Sequence, residues 1–389
     1  MNIKTTLKSS VAAAALFAIA APVAPGVNAA DDTLSSGNKN SLKISGFVAK
    51  ALWYADDGYS DSAFITDGGE SQSRTRWIAK GTLNENVTAG AMIEMDIPIS
   101  NPQDGMTLGM GAGGTESATD AGWGVRHQFV WVNHKRMGKI SLGNTNTASN
   151  GRSETTFSGV NMNDASSNRT FGQGILFIDT TRGAAAPSIS GVTVGSAFTN
   201  LDGRSRDDVL RYDTPRFAGL ALATSYIAGG DWDVAADYRA KFGGFQVRVQ
   251  GQYNNNAATS ATTGGTASVS GAALHDSGVN ATFAYGQREL IGPGSARRTG
   301  GDGKFWYFNV GYRAKVFGVG GTNFSFNWNR TTDLVAGNSD GDAVGFTIVQ
   351  LFDPIGANMA LSYRNYSYDT DTNTFEDVDV IALQTIFNF

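Results

Sequence analysis

Hydrophobic and polar side chains alternate with a period of two along most of this chain, and the sharpest case lies between residues 231 and 253. From Asp231 to Phe242 one face reads Trp232, Val234, Ala236, Tyr238, Ala240 and Phe242, while the other reads Asp231, Asp233, Ala235, Asp237, Arg239 and Lys241. Only Gly243-Gly244 separates this segment from the next, where Phe245, Val247, Val249, Gly251 and Tyr253 alternate with Gln246, Arg248, Gln250 and Gln252. Successive side chains of a strand point to opposite sides, and a two-glycine link suits the positive φ of a hairpin turn. The pattern predicts a tight antiparallel hairpin, apolar on one face and strongly polar on the other.

The contrast recurs. Trp306, Phe308, Val310, Tyr312, Ala314 and Val316 oppose Asn309, Gly311, Arg313 and Lys315, and Phe324, Phe326 and Trp328 oppose Ser325 and asparagines. Near the start, Trp77, Ala79, Gly81 and Leu83 oppose Arg74, Arg76 and Lys80, and then Ala89, Ala91, Ile93, Met95 and Ile97 oppose Glu94 and Asp96. Over the whole chain the alternation predicts strands at 42–54, 72–83, 87–99, 123–133, 138–144, 172–182, 189–199, 206–214 and 218–228. It continues at 231–242, 244–253, 267–275, 278–288, 303–316, 320–331, 340–351, 356–368 and 376–389. The count is eighteen, or sixteen if the least contrasted hairpin, 267–288, belongs to an external loop. Short turns at 83–86, 134–138, 243–244, 317–321 and 353–356 alternate with long polar connections at 56–71, 98–122, 254–266 and 289–303.

Composition decides what kind of sheet this is. Glycine is 49 of 389 residues, proline only 8 and aromatics 11%, a balance poor in helix formers and rich in strand and turn formers. No apolar stretch after residue 30 is long enough for a membrane helix. Segments of about ten residues with one greasy face are, however, what a tilted barrel strand needs, and a closed sheet satisfies every backbone group in lipid. The expectation is an all-β protein: one transmembrane antiparallel β-barrel of 16 or 18 strands over residues 30–389. Short periplasmic turns lie at one rim and long loops outside the cell at the other.

Residues 1–29 are of another kind. Lys4 and Lys8 precede an unbroken apolar run from Val11 to Ala21, and Val27-Asn28-Ala29 offers small residues for cleavage, the layout of a secretory signal peptide. Both lysines leave with it, so the net charge moves from −5 to −7 and gives no hint of a nucleic-acid partner. The chain has no Cys, so no disulfide closes the structure.

Motifs that would carry chemistry fail on context. Gly109-Met110-Gly111-Ala112-Gly113-Gly114 has a dinucleotide-like spacing, but no strand precedes it and no helix follows to hold a phosphate. His127, His134 and His275 lack metal-ligand spacing, and there is no Gly-x-Ser-x-Gly elbow. The acidic run Asp369, Asp371, Asn373, Glu376 and Asp377 lacks the glycine and terminal Glu of a Ca²⁺ loop and reads as a solvated external loop. The chain is expected not to be an enzyme and to need no cofactor.

Three features resemble the Gram-negative general porins. The chain ends in Phe389 with Phe387, Leu383 and Ile381 at alternate positions, similar to the C-terminal signal of outer-membrane barrels. Arg211-Tyr212-Asp213-Thr214-Pro215-Arg216-Phe217-Ala218-Gly219 resembles the family's strand-to-turn motif, with Ala186–Gly191 a looser echo, and Leu42-Lys43-Ile44-Ser45-Gly46-Phe47 resembles its opening strand. The resemblance implies a homotrimer in the outer membrane of a Gram-negative bacterium and a loop, here about 145–170, folded into the lumen as a constriction. That loop carries Arg152, Glu154, Asp164 and Arg169 but lacks the family's usual Pro-Glu-Phe-Gly-like stretch, having Glu154-Thr155-Thr156-Phe157-Ser158-Gly159 instead. Arg74, Arg76, Lys80 and Arg126 would form a basic wall of the pore, with Glu94 and Asp96 as acidic counterpart. Opposed charges across a narrow passage order water and bias which ions pass. Passive diffusion of small hydrophilic solutes and ions is the expected function. A substrate-selective channel for sugars or organic acids, which an eighteenth strand would favour, and a pore-less adhesin or enzyme are the alternatives.

Overall fold

A computed structural model describes residues 33–35, 40–98, 105–109, 117–118, 122–160, 171–183, 186–256, 260, 263–290 and 302–389. Among them sixteen antiparallel strands close into one barrel. They are β1 (Ser41–Asp56), β2 (Arg74–Asn84), β3 (Val87–Asp96), β4 (Gly124–His134), β5 (Gly138–Asn146), β6 (Arg206–Asp213), β7 (Leu220–Ile227) and β8 (Trp232–Phe242). The ring continues with β9 (Phe245–Asn255), β10 (Thr263–His275), β11 (Val279–Leu290), β12 (Gly303–Phe317), β13 (Gly320–Thr332), β14 (Ser339–Phe352), β15 (Ala357–Thr370) and β16 (Val378–Asn388). Each strand pairs with its sequence neighbour, and β16 returns to β1 from Phe47↔Asn388 to Asp56↔Asp379, so the sheet has no free edge.

The alternation read from the sequence sets the two faces. On β8, Trp232 is 42% and Val234 43% exposed on the outside, whereas Asp233 is 0% and Asp237 7% exposed on the inside. Gly243 and Gly244 turn the chain at φ +53° and +79° and hold the register Phe242↔Phe245. The short turns all lie at one rim, as expected, and the long connections at the other, with 228–231 a brief exception among the latter.

Two of the predicted strands need correction. Segments 172–182 and 189–199 are not in the wall, because β5 pairs directly with β6 from Lys139↔Asp213 to Asn146↔Arg206 and leaves no place between them. They form instead a small ribbon, Leu176–Asp179 against Ser188–Thr193, followed by a four-residue helix, Val194–Ala197. The ribbon packs on a sector of the inner wall that is apolar, burying Phe171, Phe177 and Phe198 against Trp53 of β1, Tyr366 and Tyr368 of β15 and Val380 of β16. Period-two alternation cannot separate an outer wall from a ribbon buried within it, since both need a strand with an apolar face. Conversely, the weak hairpin 267–288 is part of the ring, as β10 and β11; its inner face carries small residues such as Ser268, Ser270, Ala272 and Ala284, which blunts the contrast. The sixteen strands thus come from the loss of two others.

The stretch 56–71 is not wholly an external loop either. Asp61–Thr66 pairs with the outer half of β1, and Asp67–Ser73 then dips inward. Asp67 takes an ion pair from Lys50 and a hydrogen bond from the Ser73 amide (3.0 Å), while the Gly69 amide donates to Gln384 on β16 (3.0 Å). Residues 1–32, which hold the expected signal peptide, and 110–116 of the glycine-rich motif lie outside the described residues.

Candidate functional site

The chain between β5 and β6 leaves the wall and crosses its inner face. The Ala148 amide donates to Ser225 on β7 (2.7 Å), the Ser149 amide to Asp233 on β8 (2.8 Å) and the Thr155 amide to Ser270 on β10 (3.3 Å). Farther on, Asn323 on β13 donates to the Gly159 carbonyl (3.0 Å), and Tyr366 on β15 donates to that of Phe171 (3.1 Å). Inward Ser, Asn and Asp side chains, which look like mere lumen polarity in the sequence, hold this segment by its backbone.

The segment and the facing wall enclose a cavity of about 650 Å³ lined almost wholly by polar groups. Arg74, Arg76, Glu94, Arg126, His127 and Arg206, the first residue of β6, line it from the wall, and Glu154, Asn200 and Asp202 from the inward chain and its return. Between Glu94↔His127 and Met95↔Val125 the register slips by one residue, leaving Arg126 as a bulge. A bulge breaks the alternation, so the consecutive Arg126 and His127 both reach the cavity.

Glu94 is the centre of the wall cluster. It accepts from Arg126 Nε (2.9 Å), pairs with Arg76, and lies 3.7 Å from Arg74 Nη1 and 3.9 Å from His127 Nε2. Asp96 takes Arg126 Nη1 at 3.0 Å and Arg74 Nε at 3.6 Å. The expectation had set Glu94 and Asp96 opposite the arginines; they lie among them, because β2, β3 and β4 are adjacent and Arg76↔Glu94 and Arg74↔Asp96 are directly paired. The carboxylates facing this wall are instead on the inward chain. Glu154 accepts from Asn200 (2.8 Å), and Asp202 accepts from the Gly151 amide (3.0 Å).

Arg152, grouped with Glu154 in the sequence reading, serves differently. Its Nε donates to the Ala148 carbonyl (2.9 Å), and Gln250, with its amide turned to suit, accepts from Arg152 and Arg248 at 2.6 and 2.9 Å. Burial, together with the nearby Arg211, pushes its guanidinium down from the ordinary value. Lys80 is exposed farther down β2 and does not line the cavity. Asp164 and Arg169 lie outside the described residues. The sequence does not single out His127, Arg206 or Asp202 as site residues: His127 needs knowledge of the bulge, Arg206 opens a strand the alternation predicts but whose neighbours it cannot give, and Asp202 lies in a return that local pattern does not place.

A second charged cluster lies nearer the short-turn rim. Asp237 on β8 accepts from Arg216 (2.8 Å), Arg239 (2.9 Å) and Arg248 (3.0 Å). The porin-like turn Arg211–Gly219 is what delivers Arg216, whose Nη1 also caps the Gly219 and Asp237 carbonyls at 2.6 and 2.7 Å. Among the described residues no group of His, Asp and Glu could hold a metal ion. In the last long connection Asp371 accepts from Asn338 (2.7 Å), and Asn373 donates to Asp179 (2.8 Å), so this run ties loops together.

A closed barrel with an apolar exterior, and a charged, polar passage inside it, defines an outer-membrane channel. The chain belongs to the Gram-negative porin family, whose model matches residues 11–371. Its place is accordingly the outer membrane of a Gram-negative bacterium, and its activity the passive diffusion of solutes. No curated protein matches the sequence itself. Among solved structures it is similar to an anion-selective porin from Comamonas acidovorans at 14% identity and TM-score 0.59, covering 90% of this chain and 100% of that one. OmpT of Vibrio cholerae, in a trimer form, is similar at 12% identity and TM-score 0.57, covering 90% and 99%. OmpF of Salmonella typhi, in complex with daunomycin, is similar at 13% identity and TM-score 0.54, covering 92% and 100%. At such identities the likeness is one of fold.

Proposed function

We propose that the cavity between Glu94 with its arginines and the Glu154-bearing segment is the constriction of a general diffusion pore. The observation that carries this reading is the placement of a guanidinium cluster and separate carboxylates on facing sides of one polar cavity. Fixed charges of opposite sign across a passage with low-dielectric walls orient water and dipolar solutes and retard apolar ones. Small hydrophilic solutes and ions are the species such a passage admits. The family and fold are those of a channel rather than an enzyme. With sixteen strands, the support that an eighteenth would have lent a substrate-selective channel is gone.

The trimer form of the similar Vibrio protein supports a homotrimer for this chain as well, each barrel keeping its own pore. Planar-bilayer recording of the refolded mature protein tests the reading. Ohmic steps in triplets, with current proportional to salt, are the expected result. A protein that inserts and gives no steps would remove it.

A further inference from the structure

The half of the lumen below the inward segment, toward the short-turn rim, has a charge balance unlike that of the constriction. Three guanidiniums, those of Arg216, Arg239 and Arg248, converge on the single carboxylate of Asp237. Arg239 and Arg248 are moreover directly opposite one another on β8 and β9, an arrangement of like charges that costs stability unless an anion intervenes. Lys241, two residues beyond Arg239 on the same inward face, is exposed and has no side-chain partner among the described residues. The cluster therefore keeps an excess of positive charge after its own carboxylate is counted.

Above these cations sits an aromatic ring. Phe157, on the inward segment, is only half-buried and joins Arg239, Lys241, Gln246 and Arg248 in lining a cavity of about 400 Å³. The half-exposed ring shares this cavity with two guanidiniums and an ammonium, whereas its neighbours on the segment, Thr155 and Ser158, are buried. A flat apolar surface beside unneutralised donors fits a solute with the same two parts.

We propose that Phe157, Arg239, Lys241 and Arg248 form a second solute site, on the periplasmic side of the inward segment, which takes small organic anions joining a carboxylate to a flat apolar body. The site rests on the channel reading for access, but its chemistry does not depend on the constriction. Solutes leaving the constriction meet it before the periplasm, so anions of this class dwell there and interrupt the ion current.

Benzoate is the probe, with inorganic phosphate as the anion lacking an apolar body. In planar bilayers holding the full mature protein, millimolar benzoate is expected to reduce the potassium chloride current at a lower concentration than phosphate does. Lys241→Gln and Phe157→Ala should each raise the half-blocking benzoate concentration, the former about tenfold, the fold-change of one charge-assisted contact. Open channels that benzoate leaves untouched, or blocks equally in wild type and both variants, would overturn the site while leaving the channel intact. Equal potency of phosphate and benzoate would overturn the part given to Phe157. If no channels open at all, the channel reading fails, and benzoate binding to the detergent-solubilised protein, lost in Lys241→Gln, still decides the site.

Discussion

Arg126 donates from Nε to Oε1 of Glu94 across 2.9 Å, and it does so from the one unpaired position of β4. Without the bulge, Arg126 and His127 would face opposite sides of the wall and only one of them could meet Glu94. The carboxylate is fully covered by the guanidiniums it binds, so its charge is spent locally and the wall remains basic toward the passage. Glu94→Gln should therefore do two things. Losing the acceptor of several charge-assisted bonds should cost about 1–3 kcal/mol of stability, the lumen water moderating the loss. The freed positive charge should also move the reversal potential in a potassium chloride gradient toward chloride. Unfolding in urea and zero-current potentials check the two separately, and an unmoved potential would mean that the cluster does not face the permeant ions.

Facing charges predict shifts of opposite sign. Glu154 lines the cavity from the inward chain, and Arg76 lines it from the wall with its side chain 41% exposed. Glu154→Lys should move the reversal potential toward chloride, and Arg76→Gln toward potassium, with both effects shrinking as salt rises and the Debye length falls to about 3 Å at 1 M. Shifts in the same direction for both variants would contradict a transverse arrangement.

The barrel was legible because its signal is repeated on almost every strand: an outer Trp232 or Phe326 beside an inner Asp233 or Asn327 has one explanation in a membrane. What the alternation could not carry was destination. Phe177 and Ile178 are neighbours in sequence and both fully buried, a sign of a ribbon covered on two sides, yet each also fits a wall strand locally. The site suffered from the same limit. Period two put Arg74, Arg76, Glu94 and Asp96 on one inner face, but pairing register decides that they neutralise one another, and register is a non-local property. Spacing in the chain says nothing of where His127 points; its partners, Glu94 and Thr145 (3.0 Å), lie on other strands.

Closure of the ring gives a prediction about assembly. The terminal Phe389 exchanges backbone hydrogen bonds with Gly46 at 2.9 and 3.0 Å, and its ring lies over that glycine. A Cβ at position 46 would stand 2.4 Å from the Arg74 carbonyl and 2.7 Å from Phe389 Cζ, contacts that backbone on one side cannot relieve. Gly46→Val should therefore leave the barrel open or misregistered at the β1–β16 seam, seen as loss of the compact, heat-modifiable band on unheated gels. Gly318→Ala, where an added Cβ meets nothing within 4 Å, should fold as wild type.

The dry sector inside the barrel should open independently of the wall. Phe177 lies 5.4 Å from the Tyr368 ring and 6.5 Å from that of Phe198, fully buried between the ribbon and β15. Truncating such a side chain costs about 3–5 kcal/mol through lost transfer energy and the cavity left behind. In Phe177→Ala that cost falls on the ribbon, whose own hydrogen bonds are few, and hardly on the wall, whose strands are paired on both sides around the ring. The Val194 amide, bonded to the Ile175 carbonyl at 2.9 Å, reports the ribbon; that of Gln250, inside β9, reports the wall. Hydrogen exchange at Val194 should accelerate about a hundredfold or more in the variant while Gln250 keeps its rate. Equal acceleration at both amides would mean that the ribbon and the barrel unfold as one unit, and that the apolar sector is part of the wall's own stability.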